Sequence, residues 1–146
     1  GDGNGINWGH VRVYTLAGNS AWNKIGADID GEADGDESRH SVSLSADGTT
    51  VAIGIGALTI YGDNVFKSGH VRVYTLDGNS AWNQIGADID GEAAGDFSGW
   101  SVSLSADGMT VAIGAVSNAG KGETWPESGH VRVYKWDGDS SAWNQL

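Results

Sequence analysis

The sequence predicts an all-β protein built from tandem four-stranded antiparallel blades, and three observations lead to this prediction. The hexapeptide Gly-His-Val-Arg-Val-Tyr begins at residues 9, 69 and 129, which gives a period of 60 residues. Residues 9–56 and 69–116 are identical at 39 of 48 positions. Each unit contains short segments of alternating apolar and polar residues, which is typical of strands with one buried face, and no apolar stripe at helical spacing persists.

Local sequence justifies each strand of the first unit. The predicted strands are residues 11–14, 21–25, 41–45 and 50–54. A turn-forming cluster, Ala-Gly-Asn-Ser, precedes the second strand, and the dipeptide Asp47-Gly48 predicts a tight hairpin between the last two. The alternation places the following side chains on the buried faces: Val42, Leu44, Val51, Ile53, Val102, Leu104, Val111 and Ile113.

Four strands per unit, repeated head to tail, favour the blades of a β-propeller. The small Ala52 and Gly54 side fits a strand where neighbouring blades crowd together, whereas Tyr14 and Trp22 fit wider outer strands. The alternative is a β-solenoid-like stack, although solenoid coils usually have shorter periods and lack tight hairpins.

We expect a single repeat array over residues 1–146, with repeats 9–68 and 69–128 and a partial repeat 129–146. The strand count is ten, or two and a half blades, whereas seven blades of this period would need about 420 residues. Open blades leave apolar faces and unpaired edges in water, so self-association through the open blade edges is expected. The chain is then either part of a longer repeat protein or a protomer capped by neighbouring copies.

Composition excludes several classes of partner and chemistry. The net charge is -11, with 19 acidic and 8 basic residues, which argues against nucleic acid and anionic membranes as partners. No apolar run approaches the roughly 18 residues of a membrane span, so membrane insertion is not expected. The absence of cysteine excludes disulfides, thiolate zinc sites and cysteine nucleophiles.

An acidic, glycine-containing stretch follows the second predicted strand of each repeat. Its candidate metal ligands are Asp28, Asp30, Glu32, Asp34 and Asp36 in the first copy, and Asp88, Asp90, Glu92 and Asp96 in the second. Oxygen ligands at alternate positions suit Ca²⁺, which is the one cofactor that the sequence suggests. The alternative is a solvated acidic turn in which Asp and Gly residues bend the backbone.

Three further sets of side chains recur with the period. His10, His70 and His130 either enter strands as packing residues or form a ring that could hold a metal. Arg12, Arg72 and Arg132 are expected to pair with nearby acids such as Asp28 and Asp88 rather than to bind an anion. The duplicated serines of residues 41–45 and 101–105 favour structural roles over nucleophilic ones, since catalysis needs one asymmetric site. No catalytic residue is predicted.

The segments Gly95–Ser105 (GDFSGWSVSLS) and Val111–Ala115 (VAIGA) resemble the FG-GAP repeat family. The resemblance implies a β-propeller, commonly of seven blades, in an extracellular binding or adhesion protein. The calcium loop of that family, Asp-x-Asp-x-Asp-Gly, has no counterpart here, because Ser45-Ala46-Asp47-Gly48 is too short. The first repeat also departs from the pattern at Glu37, Arg39 and His40.

Residues 57–68 and 117–128 scarcely match, which is typical of variable loops on a constant scaffold. Aromatic side chains in such loops can stack on sugars or anchor a protein partner. The candidate contact residues are Tyr61, Phe66, Trp125 and Pro126, with Trp100 and Trp136 as further exposed-aromatic candidates. We therefore expect a non-enzymatic extracellular module for adhesion, surface display or assembly. The alternatives are a filament or ring subunit and a lectin-like carbohydrate binder.

Overall fold

A computed structural model describes residues 9–31, 41–55, 68–117 and 129–146 of the chain. These residues form eleven β-strands and no helix. The strands are β1 His10–Leu16, β2 Trp22–Asp30, β3 Ser41–Leu44, β4 Thr50–Ile55, β5 His70–Leu76, β6 Trp82–Gln84, β7 Ile89–Asp90, β8 Ser98–Leu104, β9 Thr110–Ala115, β10 His130–Asp137 and β11 Ala142–Gln145. Among the described residues, none belongs to a helix that could cross a membrane.

The strands form three antiparallel sheets, in which each strand pairs with the next one in sequence, except that β6 and β7 both pair with β5. We call them the half-blade (β1 and β2), the middle blade (β3 to β7) and the third blade (β8 to β11). The predicted all-β architecture of partial, propeller-like blades is confirmed. The count is eleven rather than ten because the fourth strand of the middle blade is interrupted, and both β6 and β7 pair with β5.

The repeat keeps its register from blade to blade. In the middle blade Ile53 pairs with Arg72, and in the third blade Ile113 pairs with Arg132 at the same positions. The predicted hairpin at Asp47-Gly48 joins β3 to β4, with Leu44 opposite Val51. The repeated sequence of these central strands therefore keeps the same pairing in the middle and third blades.

Two apolar cores lie between successive sheets. The core between the half-blade and the middle blade contains Ile29, Val51, Ile53, Ile55 and Tyr74. The core between the middle and third blades contains Ala52, Val71, Val73, Ile89, Val111 and Ile113. The middle blade thus buries apolar side chains on both faces, since alternate residues of a strand point to opposite sides.

The middle and third blades approach closely at small residues. The Ser41 hydroxyl donates to the Gly99 carbonyl oxygen at 2.9 Å, and the Leu104 amide donates to the Ser43 hydroxyl at 2.9 Å. A Cβ atom at Gly54 would overlap the Gly99 carbonyl oxygen. The expectation that the Ala52 and Gly54 side meets a crowded neighbour is therefore confirmed.

The predicted burial of Val42 and Leu44 is wrong. Val42 is 57% exposed and Leu44 is 46% exposed, whereas their copies Val102 and Leu104 are half-buried against the second core. The side of the strand was assigned correctly, because Val51 and Ile53 on the same face are buried. The half-blade supplies only two strands in front of the middle blade, so the face of β3 has no described sheet to cover it.

Candidate functional site

The acidic stretch of the second repeat lies at the sheet end from which the variable segments leave. Ile55, which precedes residues 57–68, pairs with His70 at the start of β5, and His70 pairs with Asp90 at the end of β7. In the third blade Ala115 and His130 flank residues 117–128 in the same way. The acidic stretch and the ends of the variable segments therefore lie at the same end of the blades.

Asp88 is the centre of a charged network at this end. Arg72 donates to both carboxylate oxygens, with Nε at 2.9 Å and Nη2 at 3.0 Å, and Gln84 Nε2 donates at 2.8 Å. Partial burial opposes the ionisation of Asp88, but the hydrogen bonds from Arg72 and Gln84 outweigh it and hold the pKa below its ordinary value. His70 Nε2 lies 3.6 Å from the same carboxylate.

The first repeat builds the same network with one substitution. Asp28 accepts from Arg12 at 2.7 Å, and Lys24 donates to it at 2.7 Å from the position that Gln84 has in the second repeat. The hydrogen bonds from Arg12 and Lys24 hold the pKa of Asp28 far below its ordinary value. The prediction that Arg12 and Arg72 pair with acids is confirmed, and this pairing explains why Arg and Asp recur together.

The other acids of the second repeat lie in separate environments. Asp90 is exposed on β7. Glu92 pairs with Arg132 of the third blade. Asp96 is buried, and its carboxylate accepts the Ala93 amide at 2.8 Å, which closes a turn. Asp96 therefore stabilises the blade end, and Glu92 its contact with the next blade.

Three possible metal ligands come together among the described residues. One ligand atom each from His70, Asp88 and Asp90 lies within 4.8 Å of the others. An imidazole with two carboxylates suits a transition metal better than Ca²⁺, which takes oxygen ligands. Since Arg72 already binds Asp88 through both oxygens, a cation would compete with a guanidinium. The predicted calcium ligands Glu32, Asp34 and Asp36 lie outside the described residues, and calcium binding stays a prediction.

A shallow cavity of about 250 Å³ opens beside this network, between the middle and third blades. Its lining includes Asp88 and Asp90 from the middle blade, and Tyr134 and Trp143 from the third. Carboxylates beside aromatic rings suit a polyol or a cationic group. This cavity could not be predicted from the sequence, because its two halves come from different repeats. The recurrence of Tyr and Trp with the acids was the available signal.

The predicted contact residues Tyr61, Phe66, Trp125 and Pro126 lie outside the described residues. Trp100 is 48% exposed, and its ring meets Phe97 edge to face with centroids 6.4 Å apart. Trp136 is half-buried and packs against Trp143 at a centroid distance of 5.4 Å. Of these two further candidates, Trp100 presents the larger exposed ring.

The repeated serines have structural roles, as expected. Ser41 and Ser43 form hydrogen bonds between blades, whereas Ser45 and Ser105 hold hairpin turns through Asp47 and Asp107. These hydroxyls therefore contact backbone groups or turn carboxylates.

Neither a family model nor a curated protein sequence matches the chain.

Proposed function

We propose that this chain is a non-enzymatic extracellular repeat module that acts in adhesion, surface display or assembly. The observation that carries the proposal is a constant scaffold with variable segments at one end. The scaffold residues on both sides of these segments, Ile55 and His70 or Ala115 and His130, keep the same pairing in both blades. Variation in residues 57–68 and 117–128 can therefore change a contact surface without changing the sheets.

The resemblance to FG-GAP repeats supports the same proposal. Gly99 is one of the residues that carry the resemblance, and it packs against Gly54 of the preceding blade. Close packing of successive blades therefore explains why a glycine stands at this position. Members of that family are mostly extracellular binding or adhesion modules. We propose this kinship, and with it an extracellular location.

An exchange of the two variable segments tests the scaffold role. The sequence of residues 117–128 is placed at 57–68, and the reverse, with the rest of the chain unchanged. We expect the far-UV circular dichroism and the melting temperature to stay as in the parent chain, because the pairing that flanks the segments is preserved. A chimera that unfolds would show that the segments are part of the core and would overturn the proposal.

Antibodies against the 146-residue chain test its location. Labelling of intact cells of the source organism, without permeabilisation, is the expected result. Labelling that requires permeabilisation would contradict an extracellular role.

The cavity between blades favours one alternative, a lectin-like carbohydrate binder. Tyr134 and Trp143 offer ring faces for a sugar, and the exposed Asp90 offers acceptors for its hydroxyls. A glycan array with the parent chain, Trp125→Ala and Asp90→Asn tests this alternative. Binding lost in Trp125→Ala places the site on the variable segment, and binding lost in Asp90→Asn places it in the cavity. No binding by the parent chain excludes the alternative for the glycans presented.

A further inference from the structure

The same tryptophan contact joins successive blades twice. Trp82 Nε1 of the middle blade donates to the Ile25 carbonyl oxygen of the half-blade at 3.0 Å. Trp143 Nε1 of the third blade donates to the Ile85 carbonyl oxygen of the middle blade at 3.1 Å. In both cases the indole lies against the glycine that follows the acceptor, Gly26 or Gly86.

The neighbouring side chains repeat with the tryptophan. Tyr74 packs in the first core and Tyr134 against the second, in each case on the same face as the tryptophan. The opposing face supplies the first valine of β1 in the half-blade, Val11, and the first valine of β5 in the middle blade, Val71. Each junction therefore has a donor face, with Tyr and Trp, and an acceptor face, with Val and the carbonyl of Ile25 or Ile85.

Within the described part of the chain, one donor face and one acceptor face remain exposed. On the half-blade, Trp22 is 67% exposed and Tyr14 is 45% exposed, whereas Tyr74 at the equivalent position is 9% exposed. On the third blade, Val131 is 67% exposed, whereas Val71 at the equivalent position is 0% exposed. Leu146, which corresponds to the acceptors Ile25 and Ile85, is 75% exposed.

We propose that the exposed donor face of Tyr14 and Trp22 docks onto the exposed acceptor face of Val131 and Leu146 in a second copy of this chain. The molecule already makes this interface twice, each time between one donor face and one acceptor face. The exposed donor face therefore fits an acceptor face, and the exposed acceptor face fits a donor face. Such a contact joins different surfaces of the two copies and is head-to-tail, which allows the association to continue into open assemblies. The inference deepens the assembly role proposed above and rests on it.

Sedimentation of the 146-residue chain and of two surface variants tests the interface. Trp22→Ala removes the donor face and Val131→Asp blocks the acceptor face, and both side chains are exposed, so each variant should keep the circular dichroism of the parent. The parent should associate as its concentration rises to about 100 µM, a hundred times a micromolar Kd. Each substitution alone should raise the Kd of self-association about 30-fold or more, as expected when an anchor residue of an interface is lost.

Mixing the variants gives the decisive signature. Trp22→Ala keeps an intact acceptor face and Val131→Asp keeps an intact donor face, so an equimolar mixture should form dimers and no larger species. Trp22→Phe, which keeps a ring but lacks the indole N–H, should associate more weakly than the parent and more strongly than Trp22→Ala. Met109→Thr, which installs the residue of the preceding repeat at an exposed turn, is the control and should associate like the parent.

Three results would overturn the proposal: a monomeric parent at the highest concentration, variants that associate like the parent, or a mixture that stays monomeric. The second result would indicate pairing through strand edges, and the third a symmetric contact. None of these results affects the outcome expected from the segment exchange or from the cell labelling, because neither experiment alters Trp22 or Val131. Failure of the interface is therefore distinguishable from failure of the proposed function.

Discussion

The Asp47 carboxylate organises the hairpin between β3 and β4. One of its oxygens accepts from the Ser45 hydroxyl at 2.6 Å, from the Thr49 hydroxyl at 2.9 Å and from the Thr49 amide at 3.0 Å. Ser45 in turn accepts the Thr50 amide at 3.0 Å. The hydrogen bond from Ser45, followed by those from Thr49, lowers the pKa of Asp47 to about 2.

This lowered pKa predicts an acid-sensitive turn. The contribution of ionised Asp47 to stability is complete above the ordinary carboxyl pKa of about 3.9 and is lost as the pH falls toward 2. Asp47→Asn keeps an acceptor oxygen but cannot ionise, so it should be less stable than the parent at neutral pH. The difference should vanish near pH 2, in urea unfolding measured across this range.

The same experiment can be done on the equivalent turn of the third blade, at Asp107. Asp107 accepts from Ser105 at 2.5 Å and from the Met109 amide at 2.9 Å, and its pKa is lowered by the same causes. Asp107→Asn should therefore show the same dependence on pH. A stability difference that stayed constant from neutral pH to pH 2 would contradict the role of ionisation in both turns.

For single residues, the sequence predicted the hairpin at Asp47-Gly48 but not the hydrogen bond from Ser45 that helps to hold it. Asp47-Gly48 indicates a tight turn by itself. The contribution of Ser45 was hidden, because it was counted with Ser41 and Ser43 on the polar face of a strand. The side-chain contacts of a turn depend on its three-dimensional closure, which alternation of apolar and polar residues does not describe.

At the scale of strands and sheets, close contact between blades depends on glycine. Gly54 and Gly114 occupy the same repeat position, and neither has a positive φ, so only space distinguishes them. A Cβ at Gly54 would meet the backbone carbonyl of Gly99, whereas a Cβ at Gly114 would meet the hydroxyl of Ser101, which can rotate away.

Gly54→Ala should therefore destabilise the fold by about 1–3 kcal/mol, as overpacking does. Gly114→Ala is the matched control and should change stability by less than about 1 kcal/mol. Urea unfolding of the two variants checks the prediction. Equal effects would mean that the middle and third blades do not approach at Gly99.

A second matched pair tests how far each blade is covered. Leu44 and Leu104 occupy the same repeat position, but Leu44 is half-exposed and Leu104 packs against the second core. Leu104→Ala should cost at least about 1 kcal/mol more than Leu44→Ala, because only Leu104 leaves a cavity. A larger loss of stability in Leu44→Ala than in Leu104→Ala would contradict the fold, in which Leu104 is the more buried of the two.

The two leucines also show the limit of reading burial from sequence. Alternation in residues 41–45 correctly identified the side of the strand on which Val42 and Leu44 lie. It could not say whether that side meets another sheet, because coverage depends on how many strands the preceding unit contributes. Identical sequence, here Ser-Val-Ser-Leu in both repeats, is therefore buried to different extents.

At the scale of the whole molecule, the acidic ends raise the question of metal binding. Asp88 is held by Arg72, and Asp96 caps a backbone turn, so two of the candidate ligands already bind protein groups. We therefore expect the melting temperature to be nearly the same in saturating Ca²⁺ and in chelator. A ligand at a hundred times its Kd would stabilise the native state by about 2.7 kcal/mol, which a melt would show clearly.

Asp90→Asn provides the control for that melt. A rise in melting temperature with Ca²⁺ that disappears in Asp90→Asn would establish a calcium site at this blade end and contradict the expectation.

Among the described residues, the blades pack in succession, and one tryptophan contact recurs at both junctions. Its period, strands and hairpins could be predicted from the sequence, because each is encoded within a single unit. The tryptophan contact could not, because its donor and acceptor lie 57 or 58 residues apart in different units. A Trp followed three residues later by Ile-Gly, at the same place in two repeats, was the only sign of it.

Exchange of the tryptophan indole protons tests this stack most directly. In ¹⁵N nuclear magnetic resonance spectra of the dilute chain, the indole N–H groups of Trp82 and Trp143 should be protected from exchange with water, and that of Trp22 should exchange rapidly. Each signal can be assigned by substitution of the corresponding tryptophan with phenylalanine. Protection of all three, or rapid exchange of Trp82 and Trp143, would contradict the stacked blades and their exposed donor face.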